Sequence, residues 1–150
     1  MQRKTVVFDI DGTLADHRHR LHFIEGPVKD WKAFFDGMSA DGVFQPVCEL
    51  LWMFYRSGTN VVFVTGRPER YRAVTKDWLA RKLSIEVKDE NLLMRPDGNR
   101  RSDVVIKTEA LAALEARDMR PFLAIEDRER CVQMWRAHGV TCLQCADGKF

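Results

Sequence analysis

No stretch of this 150-residue chain approaches the roughly 18 to 20 consecutive apolar residues that cross a bilayer. The chain does not open on a charged-then-apolar leader either. No Gly-x-x-x-x-Gly-Lys-Ser/Thr loop occurs, which speaks against a bound nucleoside triphosphate. Charge is nearly balanced, with 24 Lys and Arg against 22 Asp and Glu, and the net +2 is too small to argue for nucleic acid or membrane. Cysteines number four. Cys142 and Cys145 have redox or half-zinc spacing, but no second pair accompanies them, so reduced structural thiols are expected. Repeats, linkers and low-complexity segments are missing as well. These absences leave a soluble, cytosolic protein with one domain, residues 1–150, long enough to bury a single core.

What is present is organised around Thr5-Val-Val-Phe-Asp9-Ile-Asp11-Gly-Thr13. Thr5 to Phe8 read as a short buried strand, because β-branched and aromatic residues run without a polar break. Two carboxylates two residues apart follow at once. Buried acids need a partner or a metal, so they are a poor way to end a core strand. They are a good way to hold reactive groups at the carboxyl edge of a parallel sheet, where open α/β folds bind ligands.

Further along, Asn60 to Val64 form a second apolar strand ending in Thr65-Gly66-Arg67-Pro68. Leu92 to Met94 form a short one, Phe122 to Ile125 another that stops at Glu126-Asp127, and Val140 to Leu143 a last. Helices fall between them. Pro46 opens one that closes at Gly58, another runs to about Leu83, one capped by Ser102 or Asp103 covers 103–117, and one covers 129–138. Continuous apolar strands alternating with amphipathic helices predict an α/β, Rossmann-like sandwich around a parallel sheet. An insert at about 15–42 should hold two short helices, with Trp31, Phe34 and Phe35 packed together. The His17-Arg-His-Arg20 run in it is either a solvated face or part of the site. The tryptophans read as core, with Trp31 the one candidate for stacking on a substrate.

The strand ends bring Asp9, Asp11, Thr65 and Glu126-Asp127 to one edge, with Lys107 on the helix beside them. These types suit phosphoryl transfer. One carboxylate attacks phosphorus, a second donates a proton to the leaving oxygen, and a third binds magnesium beside a lysine and a hydroxyl.

In its order of Asp-x-Asp-Gly-Thr, strand-end Thr, Lys and acidic pair, the chain resembles the haloacid dehalogenase-like phosphohydrolases. Val62-Phe-Val-Thr-Gly-Arg67, Asp103-Val-Val-Ile-Lys107 and Ala124-Ile-Glu-Asp-Arg128 resemble, more narrowly, the 3′-phosphatase domain of bacteriophage-type polynucleotide kinase. The resemblance implies that Asp9 is the nucleophile and that Asp11 is first general acid, then base, with its main-chain carbonyl on Mg2+. Thr65 and Lys107 would bind the phosphoryl oxygens. Arg20, Gly66, Arg67 and Asp103 would serve the substrate, and Asp103 would orient the Lys107 ammonium one helical turn away. Asp127 would complete the metal site with Asp9. Glu126 stands where those domains carry an aspartate, so it either ligates directly or works through metal-bound water.

The expected substrate is a 3′-phosphorylated nucleic-acid end or nucleotide. The alternatives are a phosphatase of free nucleoside monophosphates and a silent module that only binds nucleic-acid ends. Retention of both Asp9 and Asp11 argues against the last.

Overall fold

The computed structural model describes residues 2–149. Its elements in order are β1 (Thr5–Phe8), β2 (Ala15–Asp16), α1 (His22–Glu25), α2 (Trp31–Asp36), β3 (Gly42–Val43), α3 (Gln45–Arg56), β4 (Asn60–Pro68), α4 (Arg72–Leu83), β5 (Leu92–Arg95), α5 (Asp103–Ala116), β6 (Pro121–Arg128), α6 (Glu129–Ala137) and β7 (Thr141–Gly148). Five strands form one parallel sheet in the order β5-β4-β1-β6-β7, and β2 and β3 form a separate antiparallel pair. This is the expected α/β architecture.

The sheet is buried on both faces, which is why its strands read as unbroken apolar runs. Along β1 the side chains alternate. Val6 and Phe8 join the core under α3 and α4, with Leu51, Trp78 and Leu79. Val7 faces the other layer, with Leu111 and Leu114 of α5 and Trp135 of α6. β1 lies between β4 and β6, so the residues just past its end sit between the ends of both neighbours. The main-chain N–H of Asp9 continues the ladder onto the Ile125 carbonyl at 3.1 Å.

The expected helix limits hold to within a few residues. Pro46 lies in the first turn of α3, and Ser102 caps α5 by accepting from the N–H of Val105. β7 differs: it runs on to Gly148 instead of stopping near Leu143, pairing Glu126 with Gln144 and Arg128 with Gly148. Those residues are polar or small, and sheet hydrogen bonding rather than apolar burial carries the strand there. Gly148 is needed for that approach, since a Cβ on it would lie 2.4 Å from the Asp127 carbonyl oxygen.

The insert has the two expected short helices, but the β2–β3 ladder, unforeseen from the sequence, ties its two ends together through Asp16 opposite Gly42. Trp31, Phe34 and Phe35 do pack on one another. Trp78 and Trp135 are fully buried, whereas Trp31 is 46% exposed. All four thiols are free, and only Cys145 is exposed. Burial pushes the Cys131 and Cys142 thiols up to about 12, so neither carries thiolate at neutral pH. Among the described residues no helix is long and apolar enough to cross a membrane.

Candidate active site

Asp9 leaves β1 into a cluster that water hardly reaches. Its Oδ1 accepts from the Lys107 ammonium at 3.0 Å, and its Oδ2 accepts from the Thr13 hydroxyl at 3.1 Å. Lys107, brought in by the first turns of α5, also donates to Glu126 Oε2 at 2.5 Å. The other Glu126 oxygen accepts the main-chain N–H groups of Asp127 and Arg128, at 3.1 and 3.3 Å. Both oxygens of Glu126 therefore have protein donors, and one of them anchors Lys107. Asp127 Oδ1 lies 3.2 Å from the same Thr13 hydroxyl. Gly12 makes the turn that fits around it: its φ is +83°, and a Cβ there would meet Asp127 Oδ2 at 2.3 Å.

Asp9, Glu126 and Asp127 are all buried, and each offers an oxygen within 4.8 Å of the others. Lys107 is the one ammonium among them. Burial alone would raise the Asp9 carboxyl, but Lys107 together with a hydrogen bond from Asp127 holds the group below the ordinary range. The other two are not so compensated. Burial, then the Asp9 charge, push Glu126 up to about 7, and burial with the charges of Asp9 and Glu126 push Asp127 up to about 9. Burial opposes charge on Lys107 as well, yet Asp9 and Glu126 raise it well above its ordinary value. Three buried carboxylates against one ammonium, all with oxygen donors, fit a hard divalent cation. The Asp11 side chain is not one of the three.

Asp11 turns instead to two arginines. Arg67 donates to it twice, Nε to Oδ2 at 3.0 Å and Nη2 to Oδ1 at 2.7 Å, and Arg20 Nη2 donates to Oδ1 at 2.5 Å. Burial raises this carboxyl, but the Arg67 and Arg20 guanidinium groups hold it well below the usual carboxylate range. Arg20 and Arg67, expected to meet the substrate, are both fully buried and grip Asp11. Arg20 is fixed in turn by Asp41, which accepts its Nε at 2.8 Å and its Nη2 at 2.6 Å, and by the Phe34 carbonyl at 3.1 Å. The guanidinium also lies 4.3 Å from the Phe34 ring centroid. Arg67 Nη1 donates to Thr75 at 3.1 Å.

Asp41 is a residue that sequence reasoning missed. It sits in the glycine-flanked exit of the insert and reads there as a solvated turn. It is instead fully buried, with its carbonyl accepting from Trp78 Nε1 at 3.0 Å and its carboxylate meeting His19 Nε2 at 2.7 Å. The basic run is thus partly interior: Arg20 and His17 are buried, and His19 serves Asp41.

Thr65, at the end of β4, is buried and accepts the N–H of Arg67 at 3.2 Å, which leaves its hydroxyl proton for another acceptor. Asp103 does not orient Lys107. Its two oxygens are taken by Arg95 and by Arg128, the latter at 2.5 Å, and two guanidinium groups outcompete an ammonium one turn away. Gly66 gives Asp103 room, since a Cβ there would lie 2.6 Å from Asp103 Oδ1. The Gly66 carbonyl accepts from Arg95 Nε at 2.9 Å, and Arg95 Nη1 donates to the Asn99 and Arg101 carbonyls, so Arg95 ties the 96–102 loop to the end of β4. A hollow of about 170 Å³ lined by Gly12, Thr13, Phe44 and Cys145 adjoins the cluster. A larger cleft of about 350 Å³ lies on α5 and β5, lined by Arg72, Leu93 and Ala113, and includes none of Asp9, Asp11, Glu126 and Asp127.

A family model described as the polynucleotide kinase PNKP phosphatase domain matches residues 3–150. The chain belongs to that family. It is a haloacid dehalogenase-like phosphohydrolase domain, as the motifs imply. A chain of the Pnkp1/Rnl/Hen1 RNA repair complex is 28% identical, with a TM-score of 0.80 over 99% of this chain and 44% of its own. This phosphatase domain therefore spans less than half the length of that relative. The class C acid phosphatase from Bacillus anthracis, at 13% identity, shares the fold with a TM-score of 0.74 over 100% of this chain and 69% of its own. CbbY from Rhodobacter sphaeroides, solved with phosphate, does so at 15% identity and 0.62, over 99% and 88%.

Proposed function

We propose that this phosphatase domain removes 3′-phosphates from nucleic-acid ends through a phosphoryl-Asp9 intermediate, with Mg2+ held beside it. The carrying observation is the pairing of two differently dressed carboxylates: Asp9 against an ammonium and a hydroxyl, Asp11 against two guanidinium groups. When bound, Mg2+ supplies charge that offsets the phosphoryl oxygens, and Asp9 and Asp127, with Glu126 alongside, are the residues that would hold it.

In the first step an Asp9 oxygen attacks phosphorus and the ester P–O bond breaks, its electron pair leaving on the nucleoside oxygen. That oxygen takes a proton from Asp11. In the second, water gives a proton to Asp11 and attacks the same phosphorus. The bond to Asp9 breaks, and inorganic phosphate leaves. Lys107 has three N–H groups, and with two on Asp9 and Glu126 the third is left for a phosphoryl oxygen. The Thr65 hydroxyl is the second donor. Asp11 starts ionised, which suits the water step. It becomes an acid when a phosphate monoanion arrives beside it, offsets the two arginines and brings the proton that Asp11 relays.

Asp11→Asn should therefore slow hydrolysis of nucleoside phosphates on the order of 10² to 10⁴-fold. p-Nitrophenyl phosphate, whose leaving group needs no proton, should lose far less. Comparing kcat/KM for the two substrates checks this, and an equal loss on both would remove Asp11 from the acid's role.

The substrate class rests on the motif resemblance, and on a similar chain being found in an RNA repair complex. Phosphate release from a 3′-phosphorylated oligonucleotide, set against free 3′- and 5′-nucleoside monophosphates with and without Mg2+, tests it. Release from mononucleotides alone would favour the free-nucleotide alternative.

The metal leaves a separate, non-catalytic signature. Glu126 and Asp127 have folded values of about 7 and about 9, raised from 4.5 and 3.8. Without a cation the folded state keeps protons that the unfolded chain sheds, so this stabilisation is lost as pH rises from about 4 to about 9. Asp9 is shifted the other way and acts only below that window. Melting temperature without Mg2+ should fall between pH 6 and pH 8.5, and the increase on adding Mg2+ should be larger at pH 8.5. An increase independent of pH would contradict a cation bound among these carboxylates.

A further inference from the structure

Outside the carboxylate cluster, an aromatic row runs from the insert to Tyr71 at the start of α4 and ends in an exposed ring. Trp31 stacks on Phe35, with centroids 6.0 Å apart and planes at 25°, and Phe35 lies 5.4 Å from Tyr71 at 36°. Phe34 closes the row from beneath, edge-on to Trp31 at 5.7 Å. Phe34 is buried against Arg20, and Trp78 and Trp135 are deep in the cores. Trp31 alone of these is left 46% exposed, on a six-residue helix. Nearly half of its surface is thus open to solvent.

The connection to the chemistry is short. Trp31 touches Phe34, Phe34 lies under the Arg20 guanidinium, and Arg20 grips Asp11. Trp31 thus stands two side chains out from the group that protonates the leaving oxygen. The insert that fixes Arg20 against Asp11 therefore also carries the exposed ring.

Charge is not the attraction. Lys29 and Lys32 are matched in number by Asp30 and Asp36, and Lys32 and Asp36 pair at 2.5 Å. The Lys29 ammonium lies 5.8 Å from the Trp31 centroid, over an electron-rich face that a base would occupy in its place. A ring face in a near-neutral surround recognises another ring face, and every base has one.

We propose that Trp31 is the stacking platform for a nucleobase near the 3′ end of a single-stranded substrate, an inference that rests on the nucleic-acid reading above. Base-paired ends would be handled less well, since their faces are already stacked.

The test uses a 3′-phosphorylated single-stranded tetranucleotide, the same oligomer built from abasic sugars, and p-nitrophenyl phosphate. Trp31→Ala should raise KM for the normal tetranucleotide roughly 5- to 20-fold with kcat within about twofold. It should leave the abasic oligomer and p-nitrophenyl phosphate unchanged, and Trp31→Phe should recover most of the loss. In the inactive Asp9→Asn protein, the normal tetranucleotide should quench tryptophan fluorescence, and Trp31→Phe should remove that quench. A KM within twofold of the parent in Trp31→Ala, or an equal rise for p-nitrophenyl phosphate, overturns the stacking role while leaving the 3′-phosphatase reading intact. If the parent protein hydrolyses p-nitrophenyl phosphate but neither oligomer, the nucleic-acid reading falls and this one with it.

Discussion

Replacing Asp9 by Asn should abolish phosphate release from every monoester, by on the order of 10⁴ to 10⁶-fold, while the protein keeps its fold. The amide has the carboxylate's shape, and its oxygen can still accept from Lys107 while its NH2 donates to the Thr13 hydroxyl, but it cannot attack phosphorus. The change also turns three buried carboxylates against one ammonium into two, so the cluster loses repulsion as well as attraction. Melting temperature should stay within a few degrees of the parent. Single-turnover assays on a nucleoside phosphate and on p-nitrophenyl phosphate decide the matter. Residual turnover near the parent rate would move the nucleophile elsewhere.

Lys107→Met should be nearly as damaging to activity and far worse for stability. Lys107 is only 2% exposed, and its ammonium is the partner of both Asp9 and Glu126. Removing one member of a buried ion pair costs about 3 to 5 kcal/mol, because the other charge is left without a partner. For a chain of this size that is roughly 10 °C in melting temperature. Loss of a preorganised donor at the phosphoryl group should also slow turnover about 10²- to 10³-fold. The pH dependence separates this from a general packing defect. Without Lys107 the Asp9 carboxyl rises with its neighbours, so the folded variant binds more protons than its unfolded chain. Its stability should recover as pH falls toward 5 and worsen toward 9. A loss that does not vary with pH would mean that Lys107 mainly fills space.

The sheet and the acidic cluster were legible for a common reason. In a doubly covered parallel sheet each strand is an unbroken apolar run, so the first polar residues after it mark the sheet's carboxyl edge. Asp9, Thr65, Glu126 and Asp127 all announce themselves in this way. Lys107 was legible only through its place in the order of motifs, since a lysine on a helix is ordinarily solvated. The contacts of Asp41 and Asp103 are not legible in the sequence, and the cause is the same for both: they are set by guanidinium groups from other elements. Asp103 is 25 residues from Arg128, and Asp41 is 21 from Arg20. No local pattern reports such a pairing. The extra length of β7 was hidden too, because a strand held by its ladder alone has no apolar signature.

The β4–β1–β6 arrangement also constrains how the protein is made. The Lys107–Asp9 contact spans 98 residues of sequence and the Thr13–Asp127 contact spans 114. Contacts of such separation form late and set a slow folding rate. During synthesis Arg20 and Arg67 can reach Asp11 and Asp41 early, but the chain must extend past β6 before Glu126 and Asp127 can join Asp9 and Lys107. Until then Asp9 and Lys107 stay hydrated, and no emerging fragment holds a working site. Activity and the last step of folding therefore arrive together, and phosphate release during refolding would report completion of the central sheet.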